Sequence, residues 1–201
     1  MNLQKFAVGF FLLVALVTFI NSCSTPNNPS TPGTAPTMTF TPTFTQTPCP
    51  SSLGTTATGG SFAAPTGPQI LAMAVTVSSP ITVNSLSLDL LGSSGTTLVQ
   101  AALYSDNSGP NTVIVSSQAQ PIAASTGWNN LGVPATPLGA GVYWIALQTN
   151  GNLDIYVNTS GGQSFYSYTA GVSFTAGSFP THMPTGAGNA NNYSMYAHTC
   201  P

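Results

Sequence analysis

Hydrolytic chemistry needs a nucleophile, a base and a group that orients the base. Ser and Thr are abundant in this 201-residue chain, but only His182 and His198 can act as a base near neutral pH. With no Glu present, Asp89, Asp106 and Asp154 are the only carboxylates available to orient them. No G-x-S-x-G elbow occurs. His182 lies in the Pro-bounded stretch FPTHMPTG and His198 beside Cys200 in the last candidate strand, so each reads as a surface histidine. Glycoside hydrolysis asks for two carboxylates flanking one bond, and three scattered Asp do not supply them. The single basic side chain, Lys5, excludes Arg-clamp and Walker-lysine chemistry and leaves nothing to displace counterions from nucleic acid. The sequence therefore predicts no enzyme, no cofactor and no nucleic-acid partner.

Binding chemistry is more open. Calcium takes six to eight oxygens, several of them carboxylates. The one weak candidate is Asp106-Asn107, whose alternative is a plain turn in which both side chains bond their own backbone. Zinc is disfavoured, since the two His are not at ligand spacing. Sugars stack on exposed aromatic rings, and QSFYSYT puts Tyr166 and Tyr168 on one face of a strand with Phe165 on the other. Tyr193 is expected to offer a similar exposed ring, with Tyr196 on the opposite face. Trp128 and Trp144 are expected in the core. These tyrosines are the candidate carbohydrate-binding residues, for a glycan or a cell-wall polymer.

The elements that must position these residues begin with an address. Lys5 and the apolar run Phe6 to Ile20 form a signal peptide over residues 1–22, too short for the roughly 20 residues of a membrane span. Ile20-Asn21-Ser22-Cys23 resembles a bacterial lipobox, which implies cleavage before Cys23 and a diacylglycerol thioether on it. An ordinary secretory signal or an uncleaved anchor are the alternatives. Residues 23–50 then read as a stalk, because nine Thr and seven Pro in the stretch 24–50 cannot bury a core. In an extended polyproline conformation it reaches up to about 80 Å. Of the remaining cysteines, Cys49 and Cys200 form an even pair in an oxidising compartment. A disulfide between them closes a loop worth on the order of 5 kcal/mol at most, and requires adjacent domain termini; free or intermolecular thiols are the alternative.

Residues 51–201 show short β-branched and aromatic runs punctuated by Gly, Ser, Asn and Pro, with no run at helical spacing. Strands are expected at 70–77, 81–91, 97–104, 112–119, 142–149, 153–158, 163–169 and 192–199, with weaker candidates at 60–64 and 126–133. The prediction is an all-β, antiparallel, jelly-roll-like sandwich of about eight or nine strands. In ITVNSLSLDLL the apolar parity switches from Ile81 and Val83 to Leu86, Leu88 and Leu90, which calls for a β-bulge at Asn84-Ser85. SDNSGP joins two strands, and Asn150-Gly151 is a strong hairpin signal.

The order SLSLDLLG, AALYSDNSGPNTVIVSS, TGWNNLGV, PLGAGVYWIALQTNGN resembles the choice-of-anchor type of exported bacterial β-sandwich domain over roughly residues 60 to 160. The resemblance implies a jelly-roll-like sandwich displayed outside the cell, with no catalytic residue set. The glycine-rich stretch 170–191 matches less well and reads as a long loop or an insertion. The chain is expected to be a surface lipoprotein, membrane-held through its lipid, acting as an adhesion or structural module. A carbohydrate-binding module is the alternative. Because the mature chain carries no Lys or Arg and only three Asp, almost no like-charge repulsion opposes a second copy, and self-association is a further expectation.

Overall fold

The structure, a computed structural model, describes residues 51–65, 69–91, 97–122, 127–167 and 172–200. All of them fall in the second of two compact units, Met1–Thr45 and Gln46–Pro201. The signal segment, Cys23, the stalk, Cys49 and Tyr168 lie outside the described residues.

The described residues form fourteen strands and no helix, arranged as two antiparallel sheets of seven. The first sheet holds β1 (Ser51–Gly54), β2 (Ser61–Ala63), β4 (Ile81–Leu91), β8 (Gly127–Leu138), β10 (Asp154–Asn158), β13 (Asn192–Tyr193) and β14 (Met195–Cys200). The second holds β3 (Ile70–Val77), β5 (Leu98–Asp106), β6 (Pro110–Ser116), β7 (Gln120–Pro121), β9 (Gly141–Thr149), β11 (Ser164–Ser167) and β12 (Ala187–Asn189). Most connections cross from one sheet to the other, the habit of jelly rolls.

Alternation builds the core. Val83, Leu86, Leu88 and Leu90 of β4 are wholly buried in one apolar cluster with Met73, Leu103, Ile145 and Leu147 of the second sheet. Val83 and Leu86 have unlike parity, and the expected bulge reconciles them. Against β14, Ser85 faces His198 and Val83 faces Thr199, so Asn84 is the extra residue. Were these eleven residues paired as a regular strand with no bulge, one end of β4 would turn its apolar side chains to solvent.

SDNSGP makes the β5–β6 hairpin. The Asp106 carboxylate accepts from the Gly109 amide at 3.1 Å, and Ser108 takes φ 59°, in the left-handed region. Asn150-Gly151, in contrast, makes no hairpin. Both edges of β9 are already paired, with β3 and β5, so the chain arches across to β10 in the other sheet. Asn150 serves this arch by gripping Leu98: its Oδ1 accepts from the Leu98 amide at 2.7 Å and its own amide donates back to the Leu98 carbonyl.

The second sheet has a second apolar face. Ile70, Ala72, Ala102, Tyr104, Trp144 and Ala146 point away from the core and are covered by the glycine-rich segment through Val172, Phe179 and Met183. That segment is therefore a structural cover. Two buried glutamines in register, Gln100 and Gln148, hold it down. Gln100 Nε2 lies 2.9 Å from the Ser178 carbonyl and 3.2 Å from that of Thr175, while its Oε1 accepts from the Gly177 amide. Gln148 Nε2 donates to the Ser173 carbonyl. Tyr104 donates its hydroxyl to Pro180 O at 2.8 Å, and burial pushes its phenol well above the usual range, so it stays protonated.

Candidate functional site

The outer face of the first sheet is built differently. Its outward positions on β4 are small or short: Ser85, Ser87 and Asp89. Rings from the flanking strands meet above them. Asn130 of β8 and Tyr196 of β14 both face Ser87, and Trp128 of β8 faces Asp89. The Trp128 and Tyr196 rings pack edge to face with centroids 4.9 Å apart, and His198 lies a further 4.9 Å beyond Tyr196. Because Ser87 has so little bulk, these rings bridge the strand between them and leave it 2% exposed. The result is a contiguous row of three rings on an otherwise low, polar surface.

A second aromatic group stands further across the same face. Phe62 of β2 faces Tyr156 of β10 in register, with ring centroids 4.7 Å apart. Phe62 is 53% exposed, the most exposed of the large apolar side chains described. Between the two groups runs the strap 55–60, which links β1 to β2 across the face. The Ser194 hydroxyl donates to the Ala57 carbonyl and accepts from the Gly59 amide, and Thr58 Oγ1 donates to Asp89 Oδ2 at 2.6 Å. Gly59 is obligatory here, because a Cβ would fall 2.4 Å from the Val157 backbone.

Two expectations about aromatic residues are corrected. Trp128 is not core but 38% exposed; its parity partners Asn130, Gly132 and Pro134 are small or polar, while Leu131 and Val133 take the inward face. Trp144 is core as expected, its indole donating to the Asp106 carboxylate at 2.7 Å. Tyr193 is not an exposed ring: it is 2% exposed and joins the main core. Met195 and Ala197 share its parity and pull that face inward, so Tyr196 and His198 face out. The signal was in the sequence, since MYAHT alternates an apolar face with a polar one. Tyr166 sits in β11 opposite Leu71.

The chemistry-bearing residues are placed as follows. His198 Nε2 lies 2.9 Å from Ser87 Oγ, a nucleophile–base distance. The pair is not assembled as a triad. Ser87 is roofed by rings, and the nearby Asp89 carboxylate is buried and engaged by Thr58. His182 pairs with Thr112 at the margin of the second sheet. Asp106 spends one carboxylate oxygen on both Trp144 and Gly109, as a turn anchor would. No group of three or more His, Cys, Asp or Glu gathers among the described residues.

A cleft of about 460 Å³ opens between β1 and β3, lined by Leu53, Thr55, Met73, Thr76, Gln163 and Asn192. It presents no aromatic ring and no charge, and Thr55 already donates to Asn192 within it at 2.6 Å. The ring-bearing face is the better candidate site. No family model matches this chain, and no curated protein or solved structure matches it either.

Proposed function

We propose that this chain is an exported, lipid-anchored adhesion module that binds neutral glycan on the outer face of its first sheet. One observation carries the reading: the two outer faces are covered to different extents. The second sheet buries most of its outer apolar residues under its own chain, with Val142 left exposed at one end, whereas the first leaves Trp128 exposed and the neighbouring Tyr196 and His198 rings partly exposed. Aromatic rings with polar tips suit an amphipathic ligand, and Asn130 and Ser85 beside them can bond hydroxyls. A ligand for this face is neutral by elimination. With Lys5 in the signal segment, the mature chain has no cationic side chain to bind an acidic polymer, and the carboxylate nearest the rings is engaged.

The rest of the proposal concerns display. A lipidated Cys23 and a Thr/Pro stalk over residues 23–50 would hold the sandwich clear of the membrane. A Cys49–Cys200 bridge would lock its termini. What supports the bridge is that β1 begins at Ser51, two positions after Cys49 in the sequence, and pairs with β14, which ends at Cys200.

A second reading, self-association, is favoured by β8. This twelve-residue strand carries no charged side chain and hydrogen-bonds to β4 alone among the described strands. A glycan array on the purified domain, repeated with Trp128→Ala, tests the first reading. Hits that vanish with the ring support it, and a blank array together with concentration-dependent assembly transfers the proposal to β8. Detergent partitioning tests the anchor: retention in the detergent phase after Cys23→Ala would refute it.

A further inference from the structure

We infer that the ligand of this face is a polymer lying across the strands, held at one end by Trp128 and at the other by the Phe62–Tyr156 pair. The inference rests on the glycan reading and extends it from one ring row to the whole face. Backbone connections give the span. Trp128 is level with Asp89, the Asp89 amide donates to the Ser194 carbonyl, the Ser194 amide donates to the Tyr156 carbonyl, and Tyr156 faces Phe62. β8, β4, β10 and β2 are successive neighbours, with Ser194 wedged between Asp89 and Tyr156, so Trp128 and Tyr156 are two to three strand steps apart and Phe62 is one step beyond. At about 4.8 Å per step, the two aromatic groups stand roughly 10 to 19 Å apart. A single sugar ring cannot touch both; an extended chain of several units can.

What lies between the groups suits such a chain. The strap crosses this line with Thr56, Ala57 and Thr58 exposed, so its summit is small and offers hydroxyls. Large side chains there would wall off one aromatic group from the other. Phe62 has no comparable structural duty. Among the described residues it leans on Tyr156 as its one aromatic partner, remains more than half exposed, and sits on a three-residue strand that pairs only with β10. Holding such a ring in water costs solubility unless something covers it.

The test is affinity against chain length. Oligomers of β-1,4-linked glucose and of β-1,4-linked N-acetylglucosamine, two to six units long, are titrated calorimetrically against the disulfide-intact domain and its variants. The expected result is a rise of about tenfold or more between the two-unit and the longest oligomers. Phe62→Ala abolishes the rise with length, while Trp128→Ala weakens every length. Both positions are surface-exposed, and an unchanged melting temperature verifies that the variants fold. Affinity that is independent of length and indifferent to Phe62→Ala overturns the extended site and leaves the single ring row standing. Absence of binding at every length, in a domain that melts cooperatively, overturns both.

Discussion

Gln100→Met removes an amide while keeping the length of the side chain, and its consequence follows from the bonds that amide makes. Three acceptors surround Nε2: Gln148 Oε1 at 3.0 Å, the Thr175 carbonyl at 3.2 Å and the Ser178 carbonyl at 2.9 Å. Two N–H groups satisfy at most two of these well, and Oε1 accepts a third bond from the Gly177 amide at 2.8 Å. Three hydrogen bonds are lost, each worth about 1 kcal/mol net, or about 3 kcal/mol in all. The penalty need not unfold the sandwich, because the cover can lift and let water satisfy its carbonyls. It should therefore appear as local opening, with amides at 172–183 exchanging roughly a hundredfold faster while β4 and β9 keep their protection. Hydrogen exchange read by mass spectrometry resolves these segments. Lifting the cover should also wet Trp144, so indole emission shifts to the red in a Trp128→Phe background. Unchanged exchange at 172–183 would refute the argument. It would mean that Phe179, Val172 and Met183 hold the cover by apolar packing alone and that the glutamines merely fill space.

The tyrosine pair gives a reciprocal prediction: Tyr193→Ala should cost about 3 to 5 kcal/mol in urea unfolding, like other large aromatic truncations, whereas Tyr196→Ala should cost far less and instead abolish glycan binding. Deleting Ser87, in the regular part of β4, should prevent folding, seen as loss of the β-type circular dichroism and of cooperative melting, because it flips the apolar parity at one end of the strand; deleting the bulged Asn84 leaves ITVSLSLDLL in regular alternation and should keep a cooperative melt. Asp106→Ala removes an acceptor from both the Trp144 indole and the Gly109 amide, and chemical denaturation should register a loss of about 2 kcal/mol. Tyr104 makes stability fall at alkaline pH. Its phenol pKa is raised in the folded state above the usual 10.0, so the contribution is whole below pH 10 and is lost as pH rises from there toward the folded value. Thermal melts in alkaline buffers should show this decline, reduced in Tyr104→Phe.

Much of the fold was legible from period alone. Ile70–Val77 and Ile81–Leu91 begin and end where Gly, Ser and Pro punctuation places them, and the bulge at Asn84 follows from two parities that no regular strand can reconcile. Turn chemistry was legible only where the neighbouring edges were free. Ser105 to Pro110 could close a hairpin because β6 had an open edge of β5 to join, whereas Asn150-Gly151 met a strand already paired on both sides. Local propensity proposes a reversal; vacancy in the sheet decides it.

The sequence by itself determined the class, most of the longer strands and the near-absence of charge, since each is a property of residue type and short-range order. It also separated Tyr193 from Tyr196, because parity divides any strand into two faces. Which of those faces is inside is a question of what packs against it. Met195 and Ala197 go inward because β4 presents Leu86 and Leu88 there, and the Trp128 ring stays out because Leu131 and Val133 claim the core. The aromatic row exists only in three dimensions. Residues 68 positions apart in the chain meet over Ser87 because β8 and β14 flank β4 and the serine between them is small enough to let the rings touch.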